Sequence, residues 1–153
     1  MKKYKPTKFE MQVSEYTIAY KSLSSAKHKI TCADDAYAII KPYFKEFEGV
    51  KEVFYAMYLN NQNNVIGIYK CAEGSISSCL VDIRLIAKPA IELLASTVIL
   101  FHNHPSGNQA VSEADKKITS DTTAALKLFN INVVDHIILT NPGFVSFANS
   151  GLL

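Results

Sequence analysis

The sequence lacks any apolar run near the roughly 20 residues that a membrane-spanning helix requires. Its longest, "STVILF", has the length of a strand. Cysteine is scarce: Cys32, Cys71 and Cys79 are odd in number and scattered. That excludes a disulfide framework, and no C-x-x-C spacing offers a cysteine-based zinc site. No repeat, low-complexity tract or Gly/Ser linker divides the 153 residues, a length that suits one domain with its own core. Charge of one sign is also missing. The net formal charge is +2, and the only dense basic cluster is Lys2, Lys3, Lys5 and Lys8. Such a cluster reads as a solvated tail; contact with nucleic acid is compatible with it but not argued by it. The basic start "MKKYKPTKFEMQ" has no apolar segment behind it, so no secretory signal is expected and the expected location is the cytoplasm.

What the chain does have is hydrophobic periodicity. "MQVSEYTIAYKS" alternates and predicts a strand. "CADDAYAIIKPYFKEF" opens on an Asp-rich helix start and predicts a helix with Ala36, Ile39, Ile40 and Tyr43 on its inner face, bent or ended by Pro42. "EVFYAMYLN", the turn "NQNN" and "VIGIYKCA" predict a hairpin. Asp82 can cap a helix through "IRLIAKPAIELLA", with a kink at Pro89. "STVILFHNH" predicts a buried strand, Ser112 the cap of a long helix "EADKKITSDTTAALKLF", and "NVVDHIILT" and "GFVSFA" a closing hairpin about "NPG". The expected fold is α+β: a mixed β-sheet with helices packed against it.

Of four histidines, two stand one residue apart at the end of the most apolar strand, in "FHNHPSGNQAVSEAD". Side chains at i and i+2 leave a strand on the same face, so His102 and His104 project together and Asn103 projects oppositely. Two imidazoles on one face can hold a single metal ion. Each piece also has a structural explanation. Neutral imidazoles at a strand end can satisfy backbone groups, and Ser112 with Asp115 is a capping box. The combined spacing is more specific: H-x-H, seven residues, S, two residues, D. It resembles the metal-binding pattern of the JAB/MPN (JAMM) metalloenzyme superfamily. "HNHPSGN", "SEAD", "DHIILT" and "FVSFANSGLL" further resemble the RadC-like JAB-domain family.

The resemblance is strongest over 51–153, the expected RadC-like JAB/MPN metal-binding core of cytidine-deaminase-like architecture; residues 1–50, a strand and a helix, are expected to belong to the same domain. It implies one Zn2+ per chain on His102, His104 and Asp115, with one coordination position open for water. It also implies a glutamate acting as general base. Glu52 matches the acid that such chains place just before the aromatic strand, and Glu73 is its rival. Ser112 is implied as a donor to the developing oxyanion. The function so implied is metal-assisted amide hydrolysis, a peptidase or isopeptidase acting on a peptide or protein substrate. The alternative is a DNA-repair or mobile-element accessory binding module that keeps the metal but does not hydrolyse. The family's DNA-repair label is all that favours that module. No helix-hairpin-helix segment is seen, which weakens a nucleic-acid partner. An HNH nuclease is excluded, because its three residues are dispersed and not a contiguous tripeptide. A zinc deaminase is excluded because H-x-E with P-C-x-x-C is absent. Asp135 and His136 form another candidate pair on opposite faces of a strand: one could stand behind a ligand, but a structural role at the strand start is the simpler reading. Exposed aromatics such as Tyr4, Tyr16 and Tyr20 leave the oligomeric state open.

Overall fold

In the computed structural model, which describes residues 28–74 and 80–153, strict alternation along three strands sorts the side chains into two layers. Strand β1 (Val53–Leu59) is buried along its whole length. Its odd-numbered residues Val53, Tyr55, Met57 and Leu59 enter one core layer, and Phe54, Ala56 and Tyr58 enter the other. A continuous apolar strand is what a sheet covered on both faces demands. The expected strand over "MQVSEYTIAYKS", the lysine cluster, Tyr4, Tyr16, Tyr20 and Cys79 lie outside the described residues.

The described chain runs α1 (Ala33–Phe44), a 3₁₀ turn (Lys45–Phe47), β1, β2 (Val65–Glu73), α2 (Ile83–Glu92), β3 (Thr97–Asn103), α3 (Glu113–Lys127), β4 (Asn132–Leu139) and β5 (Phe144–Ser146). The sheet order is β2-β1-β3-β4-β5. Among the described strands only β3 and β4 pair in parallel, and α3 supplies the crossover that parallel neighbours need. The fold is therefore the mixed sheet with helices, α+β, that the periodicity predicts. One core layer lies under α1. The other lies under α2 and α3, where Ile86, Ala90 and Leu126 meet Val98 and Leu100.

Local chemistry accounts for most element ends. Asp82 accepts from the Arg84 amide and caps α2. Pro89 sits inside α2 and leaves the Leu85 carbonyl without an amide; the Cys71 thiol lies 4.0 Å from that oxygen. Pro42 sits inside α1, which continues only to Phe44 before tightening into the 3₁₀ turn. The inner face of α1 differs from the expected one. Ala36, Ile40 and Phe44 are buried, whereas Tyr43 is 45% exposed. The i, i+4, i+8 row is the one that faces the sheet, and Tyr43 lies one residue off it.

Asn103, on the α1 side of the sheet and 6% exposed, ties the start of β1 to the end of β3. Its Oδ1 accepts from the Val53 amide at 2.8 Å, and its Nδ2 donates to the Lys51 carbonyl at 3.0 Å. These bonds bracket Glu52. Asn103→Ala leaves a buried amide and carbonyl without partners, and is expected to cost about 1–3 kcal/mol in a denaturant melt.

Candidate metal centre

His102 and His104 leave the C-terminal end of β3 toward the α3 side, and Asp115 arrives from the first turn of α3. Ends of parallel strands facing helix starts are where α/β units build sites. In the antiparallel register Phe54 is opposite His102, so Glu52, two residues earlier, lies on the same face toward His104. The Phe54 ring stacks on His102 with planes 7° apart.

The donor atoms converge. His102 Nε2 lies 3.0 Å from His104 Nε2 and 3.1 Å from Asp115 Oδ1. His104 Nε2 lies 3.7 Å from Asp115 Oδ2. Among the described residues, His102, His104 and Asp115 form the one group of three His, Cys, Asp or Glu whose donor atoms all fall within 4.8 Å of one another. His104 is clamped from outside by the loop that follows it. Its Nδ1 is 2.7 Å from the Asn108 carbonyl, which can only accept, so Nδ1 carries the proton and Nε2 points inward. Gly107, at φ +73°, makes the turn that brings Asn108 back.

Asp115 does two things at once. Its carboxylate accepts from the Ser112 amide at 2.8 Å and the Ser112 hydroxyl at 2.7 Å, while the Ser112 oxygen accepts from the Asp115 amide at 3.1 Å. That is a capping box, and it aims the remaining oxygen, Oδ1, at His102. Burial alone would raise the Asp115 carboxyl; the imidazoles of His102 and His104 beside it and the hydrogen bond from Ser112 outweigh it and hold the group well below the usual carboxylate range. The same contact with Asp115 raises His104 against the effect of burial.

Glu52 shares a cleft of about 320 Å³ with Phe54, His102, Asp115 and Ile118. Burial pushes its carboxyl above the ordinary value, opposed by His102 and His104. Glu73 is elsewhere. It pairs with Lys51 and, at 2.6 Å, with Lys70, and these two bonds lower its carboxyl to about 2. A second cleft, about 680 Å³, reaches His104 from the α1 side and is lined by Tyr37, Pro105 and Asn141.

Asp135 and His136 separate as their strand positions dictate. Asp135 accepts from the Ser146 hydroxyl at 2.6 Å and from the Ala148 amide at 3.0 Å, fastening the chain's end. His136, fully buried, lies behind His102: its Nε2 is 2.8 Å from His102 Nδ1. Of the two, His136 is the one that stands behind a candidate ligand, against the simpler expectation of a structural role; the contact depends on the β3–β4 register.

A mixed sheet carrying a His-x-His pair on a central strand and an aspartate on the following helix start defines a JAB-type domain. The chain belongs to the RadC-like JAB domain family, whose model matches residues 30–152. It is 38% identical over 124 residues to a UPF0758 protein of Flavobacterium johnsoniae, covering 81% of this chain and 53% of that protein. It is 46% identical over 103 residues to the UPF0758 protein YfjY of Escherichia coli K12, covering 67% of this chain and 64% of that protein. A UPF0758 protein of Methanococcoides burtonii is 35% identical over 127 residues, 83% of this chain and 55% of its own length. The chain thus spans about half to two thirds of these relatives' length.

Removing the Ser112 hydroxyl tests the double use of the helix start. Ser112→Ala is expected to lower stability by about 1 kcal/mol, the ordinary cost of a lost N-cap, in a thermal or urea melt. It should also weaken metal binding, because Asp115 loses the bond that aims it.

Proposed function

We propose that this chain is a zinc-dependent hydrolase of amide bonds, a peptidase or isopeptidase. The observation that carries the reading is the convergence of two imidazole nitrogens and a carboxylate at the mouth of a cleft that also holds Glu52.

The donor set suits the ion. Two atoms bonded at about 2.0–2.1 Å to one tetrahedral zinc lie about 3.3 Å apart. The two imidazole nitrogens, 3.0 Å apart, and Asp115 Oδ1, 3.1 Å from His102 Nε2, lie near that spacing, and one donor atom from each of the three residues falls within 4.8 Å of the others. Two histidines and one carboxylate are a mixed nitrogen and oxygen set, and three protein donors leave a position open, as catalytic zinc sites do. Zinc held there supplies Lewis acidity and draws the pKa of a coordinated water toward about 7.

The chain's own groups supply the rest. His102, His104 and Asp115 hold the ion; the Asn108 carbonyl and Ser112 orient two of them. Glu52, half-buried on the same face, accepts a proton on its carboxylate and returns it to the departing amine nitrogen. Phe54 and Ile118 wall the cleft and limit water. Ser112 is assigned the donor to the carbonyl oxygen of the substrate, a contribution typically worth ~3 kcal/mol. To serve, its hydroxyl must swing off Asp115 Oδ2. One cleft reaches the ligand group at His102 and Asp115 and another at His104, and room on two sides of the group supports a peptide or protein substrate.

Two substitutions test the reading. His104→Ala protein should lose the one zinc that elemental analysis finds in the parent; equal metal in both would place the ion elsewhere. Glu52→Gln should retain zinc, change stability by no more than ~0.5 kcal/mol, and lower peptide hydrolysis by roughly 10²–10⁴-fold. A parent that binds zinc but cleaves no peptide or isopeptide substrate would leave the non-hydrolytic binding module as the better reading.

A further inference from the structure

Behind the proposed zinc ligands lies a closed chain of hydrogen bonds whose direction the geometry fixes. It starts at the Asp115 carbonyl, which can only accept. The Thr119 hydroxyl lies 2.6 Å from that oxygen and spends its one proton there. Thr119 Oγ1 also lies 2.6 Å from His136 Nδ1. With its proton committed, the hydroxyl must accept, so His136 Nδ1 carries a proton. The His136 ring is fully buried, packed against Phe54 and Phe147, and no carboxylate bonds to it among the described residues. A charged imidazole in such a place is strongly disfavoured, so Nε2 is bare. His102 Nδ1, 2.8 Å away, must therefore be the donor.

We propose that His136 and Thr119 are positioning residues that fix His102 with its proton on Nδ1, presenting Nε2 to the metal and coupling that ligand to the backbone of Asp115. The metal half of this statement rests on the zinc reading above; the direction of the chain does not. The arrangement does for His102 what the Asn108 carbonyl does for His104, but with a neutral side chain reached from β4 and α3. A partner on the far nitrogen sets both tautomer and ring orientation of a ligating histidine. His102 and His136 sit on parallel strands, so β3–β4 pairing and ligand orientation become one constraint.

The test reads protons and metal separately. In the metal-free wild-type protein, 15N NMR of the imidazoles should find His102 protonated at Nδ1, and His136 neutral with its proton on Nδ1. A proton on His136 Nε2 reverses the chain and overturns the proposal. Zinc affinity, measured by competition with a chromophoric chelator, should fall roughly 10–100-fold in Thr119→Val and His136→Leu. Thr119→Ser, which keeps the hydroxyl, and His136→Gln, whose amide oxygen can accept from His102 Nδ1, should retain most of it. Folded Thr119→Val and His136→Leu proteins that bind zinc like the parent would overturn the positioning role. Thermal melts separate folding losses from affinity losses, and if both of these variants fail to fold, the wild-type NMR result still decides the direction. A wild type that takes up no zinc, with imidazole protons as assigned, would overturn the metal reading while supporting the relay.

Discussion

Strand β3 is hydrogen-bonded on both edges, antiparallel to β1 and parallel to β4, and the site hangs from its last residues. Both of its faces are covered. Ile99 and Phe101 fill the α1 layer, while Val98 and Leu100 fill the α2/α3 layer. A slip of one residue would exchange every side chain between layers and send His102 to the wrong face. The apolar core thus sets where the imidazoles stand. Asn103 adds a polar lock by holding the start of β1 against the end of β3, and with it the backbone on either side of Glu52.

Burying three imidazoles and a carboxylate together is costly unless each polar atom finds a partner. Here the partners come from backbone and helix-start groups already in place. Asp115 belongs to a capping box that α3 needs in any case. His104 is held by the carbonyl of a turn that the chain makes to reach α3. Thr119, one turn along α3 from Asp115, bonds both the helix backbone and His136. The same helix start therefore terminates a backbone, aims a carboxylate and reaches a buried imidazole. Its position at the end of a parallel strand brings the three together.

Much of this was legible in the residues. The two hairpins, the Asp82 and Ser112 caps and the buried third strand follow from alternation and turn chemistry, which are local. The H-x-H spacing placed two imidazoles on one face, and the resemblance of the wider spacing to the JAMM pattern added Ser112 and Asp115 to their neighbourhood. Which of Asp135 and His136 would stand behind a ligand, and behind which one, was not legible. His136 meets His102 through a parallel pairing with a register shift between Val98 and Ile99, and no local pattern encodes that offset. The inner face of α1 was misjudged by one residue at Tyr43, since a helix pattern broken by Pro42 admits two adjacent stripes.

The two candidate acids show how environment divides roles between like groups. Glu73 touches the ammonium groups of Lys51 and Lys70, and its charged form is locked in place at the surface. Such a carboxylate is poorly suited to taking up a proton near neutral pH. Glu52 sits in the cleft, where burial works against its charge and only the nearby imidazoles favour it. Its protonated and ionised forms are therefore closer in free energy, the condition a group must meet to accept a proton and return it. Lys51 makes the separation sharper. It stands beside Glu52 in sequence, but alternation turns it to the other face, where it serves Glu73; among the described residues no lysine or arginine forms an ion pair with Glu52. That matters to the proposed chemistry, because an ammonium bonded to Glu52 would hold its carboxylate in the charged form, as Lys51 and Lys70 hold Glu73.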